Sequence, residues 1–234
     1  VFALTSFTRD GAAADYVLAS SAELAIKPSS LAWEECASIP LSALTAYQAL
    51  LTHADAQPGQ KILITGAGGG VGVMAVQLAV AARLNVTAVC SPGKAELVKA
   101  LGAHNVVDYT TRPLSTLSHD YDIALDTVGS STLPQLFPLL KGRGQIICVA
   151  RPATAEEKAQ RPDVGATFFI VEPDGEELTR VAQCVEQEHV RAVVGEVFGL
   201  ERGGEAFGVL GKGRVSGKVV ISVDERVDSP KAGM

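Results

Sequence analysis

The segment Lys61-Ile62-Leu63-Ile64-Thr65-Gly66-Ala67-Gly68-Gly69-Gly70-Val71-Gly72 constrains this chain more than any other. An apolar run leads into five glycines within seven residues, and an almost wholly apolar segment follows from Val73 to Ala82. That order places a strand end and a helix start around a dinucleotide pyrophosphate. Glycine permits the tight turn and the close approach of backbone to phosphate. The helix start offers unpaired N–H groups and a partial positive charge. Tight turns and linkers also use glycine, so the flanks carry the inference. Here both flanks fit a cofactor-binding βαβ unit.

With 234 residues, 47% hydrophobic and 20% charged, the chain can bury a sizeable core and is far from a disordered composition. A net charge of −6 and a pI near 5.3 argue against nucleic acid or an anionic membrane as general partners. Cys36, Cys90, Cys148 and Cys184 form no CxxC pair. His53, His104, His119 and His189 are equally scattered, so no metal-ligand spacing appears. Cys90 and Cys148 sit in apolar runs that suit small buried thiols, and a reduced, cytoplasmic setting is expected. The apolar run after the glycines is broken by Gln77 and stopped by Arg83, which marks a buried helix rather than a membrane span. No charged-then-apolar leader is read. The sequence starts at Val1 in what reads as mid-domain sequence, so a fragment or trimmed product is expected.

Short strands are expected at Val1 to Leu4 and Ala14 to Ala19, around the turn Arg9-Asp10-Gly11. Pro28-Ser29-Ser30 offers a cap to a short helix from Leu31 to Glu35 that Pro40 ends, and Leu41 to His53 reads as an apolar helix. Gln57-Pro58-Gly59-Gln60 is a turn and marks a lobe boundary. From Lys61 strands and helices alternate. Strands are expected at 61–65, 85–90, 105–107, 121–126, 144–150 and 165–171, and helices at 71–83, 93–101, 111–117, 130–140 and 174–188. This is an α/β pattern, a doubly wound parallel sheet whose strands are continuous apolar runs. A strand from Ala192 to Phe198, a glycine-rich helix around Glu201 to Leu210 and a strand from Lys218 to Val223 follow, returning to the first lobe.

An NAD-specific site usually carries Asp or Glu about 20 residues beyond the glycines. After the second strand this chain has Ser91-Pro92-Gly93-Lys94 and no acid before Glu96. A hydroxyl and an ammonium suit a 2′-phosphate, which favours NADP over NAD. Ser91 can equally cap a helix starting at Pro92, and the two roles are compatible. Tyr109 either lies beside that phosphate or is a half-buried aromatic at a strand end. Thr127 and Val128, after the fourth strand, are placed to line the nicotinamide half, while Asp126 reads as a buried carboxyl group holding loop amides. The run from Ala166 to Val171 reads mostly as core, with Phe169 bordering the same crevice. No nucleophile–base pair, GxSxG or Gly-Lys-Ser/Thr motif occurs.

The pieces Leu44-Thr45-Ala46-Tyr47-Gln48-Ala49-Leu50, Gly66 to Gly72, Ala75-Val76-Gln77-Leu78-Ala79, Ala100-Leu101-Gly102-Ala103, Val107-Asp108-Tyr109, Asp126-Thr127-Val128-Gly129 and Gly217-Lys218-Val219-Val220 occur in that order. In this the chain resembles the medium-chain dehydrogenases/reductases, in their zinc-independent quinone oxidoreductase (zeta-crystallin-like) and enoyl reductase branch. The resemblance implies a Rossmann domain that binds NADP(H) and a partial GroES-like β-rich lobe formed by both chain ends. It implies a remnant lobe and linking helix at 1–57, an NADP-binding domain at 58–190, a return to the catalytic lobe at 191–223 and a flexible tail at 224–234. The pyrophosphate would sit at Gly68, Gly69, Gly70, Val71 and Gly72, the 2′-phosphate at Ser91, Lys94 and Tyr109, and Thr45 near the nicotinamide. Gly68 stands where many relatives have alanine, a change that should not abolish binding. The activity implied is metal-free reduction of a small-molecule quinone or enone by NADPH. A protein that binds NADP without turnover and a trans-acting enoyl reductase of a polyketide pathway remain alternatives. Relatives are often dimers, so a homodimer is one expectation. The family's N-terminal stretch has no match here, and no catalytic residue is nominated.

Overall fold

The computed structural model describes residues 1–8, 11–187 and 189–223. Arg9 and Asp10 of the expected first turn, Glu188, and the expected flexible tail 224–234 lie outside the described residues. In chain order the elements are β1 (Phe2–Ala3), β2 (Leu24–Ala25), α1 (Trp33–Ala37), α2 (Pro40–Tyr47), β3 (Lys61–Thr65), α3 (Gly70–Ala81), β4 (Asn85–Cys90), α4 (Ala95–Ala100) and β5 (Asn105–Asp108). They continue as β6 (Tyr121–Asp126), α5 (Leu133–Leu136), β7 (Leu140–Cys148), α6 (Ala155–Ala159), β8 (Gly165–Phe168), α7 (Gly175–Glu186), β9 (Val194–Gly199), α8 (Gly203–Gly211) and β10 (Lys218–Ser222). The chain divides into two compact units, Ser42–Glu172 and Val1–Leu41 together with the chain from Pro173.

The first of these units holds a six-stranded sheet in the order β5-β4-β3-β6-β7-β8, with every neighbouring pair parallel. This is the doubly wound order, and its switch point lies between β3 and β6, so the carboxyl ends of those strands border the crevice. Helical crossovers cover both faces of a parallel sheet. Ile62, Leu63, Ile64, Val86, Ala88 and Leu125 accordingly show 0% exposure. α3 is apolar all round and buried from Gly72 to Ala79, and its one interior amide, Gln77, donates to the Val73 carbonyl at 2.9 Å. Leu133, Leu136 and Phe137 fill the core beside β6 and β7 with Leu114, Tyr121 and Ile146.

The sheet unit departs from the sequence reading at four places. The expected helix 111–117 is a single 3-10 turn, Leu114–Thr116. Asp108 captures the backbone N–H of Thr110 at 2.9 Å and the Thr110 hydroxyl at 2.7 Å, and Pro113 has no N–H to extend a helix. The expected helix 130–140 is α5 followed by a 3-10 turn at Phe137–Leu139, split by Pro134 and Pro138, and β7 already begins at Leu140. β7 pairs from Leu140 through a register shift, with Arg143 at φ +64. The segment 165–171, read as mostly core, is strand only to Phe168, as the edge strand β8, with Phe168 38% and Ile170 just beyond it 68% exposed; a continuous apolar run looks the same whether one neighbour covers it or two. A fourth difference concerns the helix read from Leu41 to His53. It is α-helical only to Tyr47 and continues as a π-helix from Gln48 to His53.

In the other unit β1 and β2 pair antiparallel, Phe2 opposite Ala25. The expected strand Ala14–Ala19 is instead exposed, irregular chain, because it finds no ladder partner among the described residues. α1 starts two residues later than read, and Ser29 does not cap it: its N–H and hydroxyl donate to Glu186 at 2.6 and 3.3 Å. The Ala32 N–H is held instead by Glu35 at 2.8 Å. The Asp174 side chain caps α7 by accepting from the Glu177 N–H at 2.8 Å. β9 and β10 pair parallel, with α8 crossing between them.

Candidate cofactor site

β3 ends at Thr65 and the chain turns at once. Gly66 takes φ +63, and the Gly69 N–H donates to its carbonyl at 2.9 Å. The first i→i−4 bond of α3 runs from the Val73 N–H to the Gly69 carbonyl at 3.0 Å. The N–H groups of Gly70, Val71 and Gly72 precede it and so have no intrahelical acceptor. A Cβ at Gly72 would strike the Gly66 carbonyl oxygen and lie 2.6 Å from the Ala67 Cα, so the turn is folded tightly onto the start of the helix. Gly69, Gly70 and Val71 stay partly exposed. The result is a cradle of backbone donors, which fits a pyrophosphate.

Lys94 joins this cradle directly. A Cβ built on Gly68 would lie 2.8 Å from the Lys94 Cβ and 3.1 Å from its Cγ, so the lysine stem lies across Gly68. Ser91 begins the 3-10 turn Pro92–Lys94, but its side chain makes no capping bond, and the Lys94 N–H goes to the Ser91 carbonyl at 3.0 Å. Of the two roles open to Ser91, the side-chain cap is therefore not taken. β5 runs beside β4 with Asp108 opposite Cys90, which puts Tyr109 next to Ser91's strand end. Tyr109 is 57% exposed, more than a half-buried core aromatic. Burial raises the Cys90 thiol above its usual range, Asp108 adds to that and Lys94 opposes it, so both charges lie close to this strand end. Asp108 is itself held low by the Thr110 hydroxyl and N–H.

At the end of β6, Asp126 is fully buried. One oxygen accepts from the Thr65 hydroxyl at 2.7 Å and the Val128 N–H at 3.3 Å, the other from the Gly129 N–H at 2.9 Å. It holds loop amides, as the sequence leads one to expect. The Thr127 hydroxyl returns to the Thr65 carbonyl at 2.8 Å. A Cβ on Gly66 would meet that hydroxyl and come within 3.0 Å of Val128 Cγ2, so Thr127 and Val128 border the glycine turn. Val128 is 47% exposed at the crevice.

Three features of this region escape a reading of the sequence. Arg151, after β7, donates to both oxygens of Glu157 at 2.8 and 2.6 Å and to the Ser130 carbonyl at 2.8 Å. Its paired bonds hold the Glu157 carboxyl down at about 2. Glu157 also closes a capping box with Thr154 at the start of α6, and only that Thr-x-x-Glu spacing is visible in the sequence. The clamp ties the loop after β7 to the loop that carries Thr127 and Val128. Further along, Phe169 stacks on His53 with ring centroids 4.2 Å apart. The Gln48 amide brackets Glu172, donating to its carbonyl at 2.9 Å and accepting its N–H at 3.1 Å. Thr45 lies buried one turn before Gln48 on the same helix. The glycine turn, Lys94, Thr127 and Val128 thus form one contiguous group, Ser91 and Tyr109 form its flank, and Thr45 and Phe169 sit on segments bound through Gln48 and His53.

The family model for zinc-binding dehydrogenases matches residues 101–221. A probable zinc-binding oxidoreductase, mitochondrial, of Arthroderma benhamiae is 34% identical, over 95% of this chain and 72% of its own length. The 2-methylene-furan-3-one reductase of Solanum lycopersicum is 32% identical over 90% of this chain and 52% of its own. Among solved structures, the quinone oxidoreductase from Coxiella burnetii superposes with a TM-score of 0.79 at 30% identity, covering 85% of this chain and 63% of that one. An NAD-dependent alcohol dehydrogenase gives 0.83 at 30% identity, covering 92% and 66%. The quinone oxidoreductase from Thermus thermophilus, solved also with NADPH, gives 0.72 at 32% identity, covering 84% and 68%. The chain therefore spans roughly half to three quarters of the curated relatives it matches, 52% and 72% of these two. With a doubly wound sheet, a glycine cradle at its switch point and these likenesses across nearly its whole length, the chain belongs to the medium-chain dehydrogenase/reductase superfamily.

Proposed function

We propose that this chain is an NADPH-dependent oxidoreductase that reduces a quinone or the activated C=C bond of an enone by hydride transfer without a metal ion. The observation that carries the reading is the end of β4. There the Ser91 hydroxyl caps nothing, the Lys94 stem reaches the phosphate cradle, and no acid stands before Glu96. When bound, the nicotinamide cofactor supplies the hydride. The chain's own residues bind and orient. The first N–H groups of α3 take the pyrophosphate, and Ser91, Lys94 and Tyr109 take the 2′-phosphate. Thr127 and Val128 line the nicotinamide half, with Thr45 and Phe169 at its far end. The Asp126 network and the Arg151–Glu157 clamp fix the loop on which Thr127 and Val128 stand.

Metal independence is part of this proposal and is drawn from the resemblance to the zinc-independent branch. All four cysteines are free, which fits a reducing compartment, taken here as the cytoplasm, and no helix among the described residues is long and apolar enough to cross a membrane. We read 58–190 as the NADP-binding domain, and 1–57 with 191–223 as part of a catalytic lobe. A homodimer belongs to the same reading, because Phe168 at the end of the edge strand β8 and Ile170 just beyond it are exposed.

A second reading is NADP binding by this chain without turnover. Titrating the purified chain with NADPH and then offering quinones and enones separates the two. NADPH oxidation supports the reductase. Tight binding with no oxidation across the panel supports the second reading, and no change in NADPH fluorescence rejects both.

A further inference from the structure

The geometry points to Gly68 as a positioning residue for cofactor choice: its missing side chain lets Lys94 lie on the phosphate cradle, and the pair sets the preference for NADPH over NADH. This rests on the reading of Lys94 as the 2′-phosphate partner.

The glycines of the turn are glycine for different reasons. Gly66 stands at φ +63, where an L side chain is strained, and Gly72 faces the backbone of Gly66 and Ala67. A Cβ on Gly69 would lie 3.3 Å from the Gly66 carbonyl oxygen, a tight contact that a shift of a few tenths of an ångström would relieve. Gly68 is unlike all three. Its backbone is outside the left-handed region, and the three atoms nearest a Cβ there all belong to Lys94: Cδ, Cβ at 2.8 Å and Cγ at 3.1 Å. Alanine at this position is opposed by the lysine and not by the turn.

The conflict reaches the root of the lysine side chain, so turning its distal torsions does not relieve it. The Lys94 backbone cannot follow, because its N–H is bonded to the Ser91 carbonyl at 3.0 Å and α4 begins at the next residue. A methyl group on residue 68 therefore pushes the stem off the cradle and re-aims the ammonium. Gly68 is buried in the folded chain, as the close lysine stem requires. The phosphate turn and the 2′-phosphate reader are thus one mechanical unit, and specificity is set partly from inside the turn.

The test is a double-mutant cycle read by equilibrium binding, with Kd for NADPH and NADH measured by fluorescence titration on wild type, Gly68→Ala, Lys94→Ala and the double variant. Gly68→Ala is expected to weaken NADPH about tenfold and NADH less than about twofold, about 1–1.4 kcal/mol of selective loss. In the Lys94→Ala background it should add less than about twofold for either cofactor. Equal weakening of both cofactors, no change for NADPH, or a selective loss that persists without Lys94 would each overturn the coupling. If Lys94→Ala alone leaves the NADPH preference intact, the 2′-phosphate reading falls and the coupling with it. If Lys94→Ala removes the preference while Gly68→Ala does not, only the coupling falls. Should crowding unfold Gly68→Ala, the double variant is expected to regain the wild-type melting transition, and failure of that rescue would also overturn it.

Discussion

Asp126→Asn isolates what holds the crevice loop in place. The carboxyl group shows 0% exposure and accepts three donors on two oxygens, at 2.7, 2.9 and 3.3 Å. Asparagine keeps the shape but leaves one oxygen. The Thr65 hydroxyl and Val128 N–H share one oxygen, and the Gly129 N–H uses the other, so an NH2 group must face at least one buried donor. Losing one such bond and stranding its partner costs about 1–3 kcal/mol. The cost should appear as a lower urea midpoint with an unchanged slope, since the unfolded surface does not change. Because the Gly129 N–H is the partner at risk, the segment Thr127 to Gly129 loosens, and NADPH should bind more weakly while NADPH and NADH are affected alike. A variant within about 0.5 kcal/mol of wild type would refute the reasoning, showing that water or a rearranged loop replaces the carboxyl group.

Other perturbations test separate parts of the structure. Phe137→Ala should cost about 3–5 kcal/mol in chemical denaturation, because its ring is wholly buried among Leu133, Leu136 and Ile146. Gly72→Ala should lower the melting temperature of the free protein, and Gly69→Ala much less, since only the first meets backbone below 3.0 Å. Glu157→Gln should destabilise by about 1 kcal/mol or less at neutral pH, the range for a partly exposed pair. The Glu157 carboxyl sits at about 2 against an ordinary 4.5, so its stabilisation is present above the unfolded value and fades as pH falls toward 2. Melting curves of variant and wild type should therefore converge below pH 4.5, and a constant gap across that window would contradict the clamp.

The features legible in the sequence are those with a local cause. The strand, the glycine turn and the helix start at 61–72 follow from neighbouring residues, and so does the Ser91-Pro92 break at the end of β4. The role of Asp126 is legible because a buried acid at the end of an apolar strand needs nearby amides. What stays hidden depends on how distant segments meet. The Arg151 bond to Ser130 exists only once the loops after β6 and β7 are brought together. The π-helical stretch at Gln48–His53 seats Gln48 against Glu172 and His53 against Phe169, contacts more than a hundred residues apart in sequence. The helix expected at 111–117 loses to the Asp108 side chain, which holds Thr110 and Thr111 where it would begin, and the strand expected at 14–19 finds no partner among the described residues.

The central claim, an NADP site at the end of β4, meets its most direct test in parallel titrations of the purified chain with NADPH and NADH. A charge-assisted contact to the 2′-phosphate is worth about 1.5–3 kcal/mol, so NADPH should bind at least about tenfold more tightly. Equal affinities, or tighter binding of NADH, would contradict it.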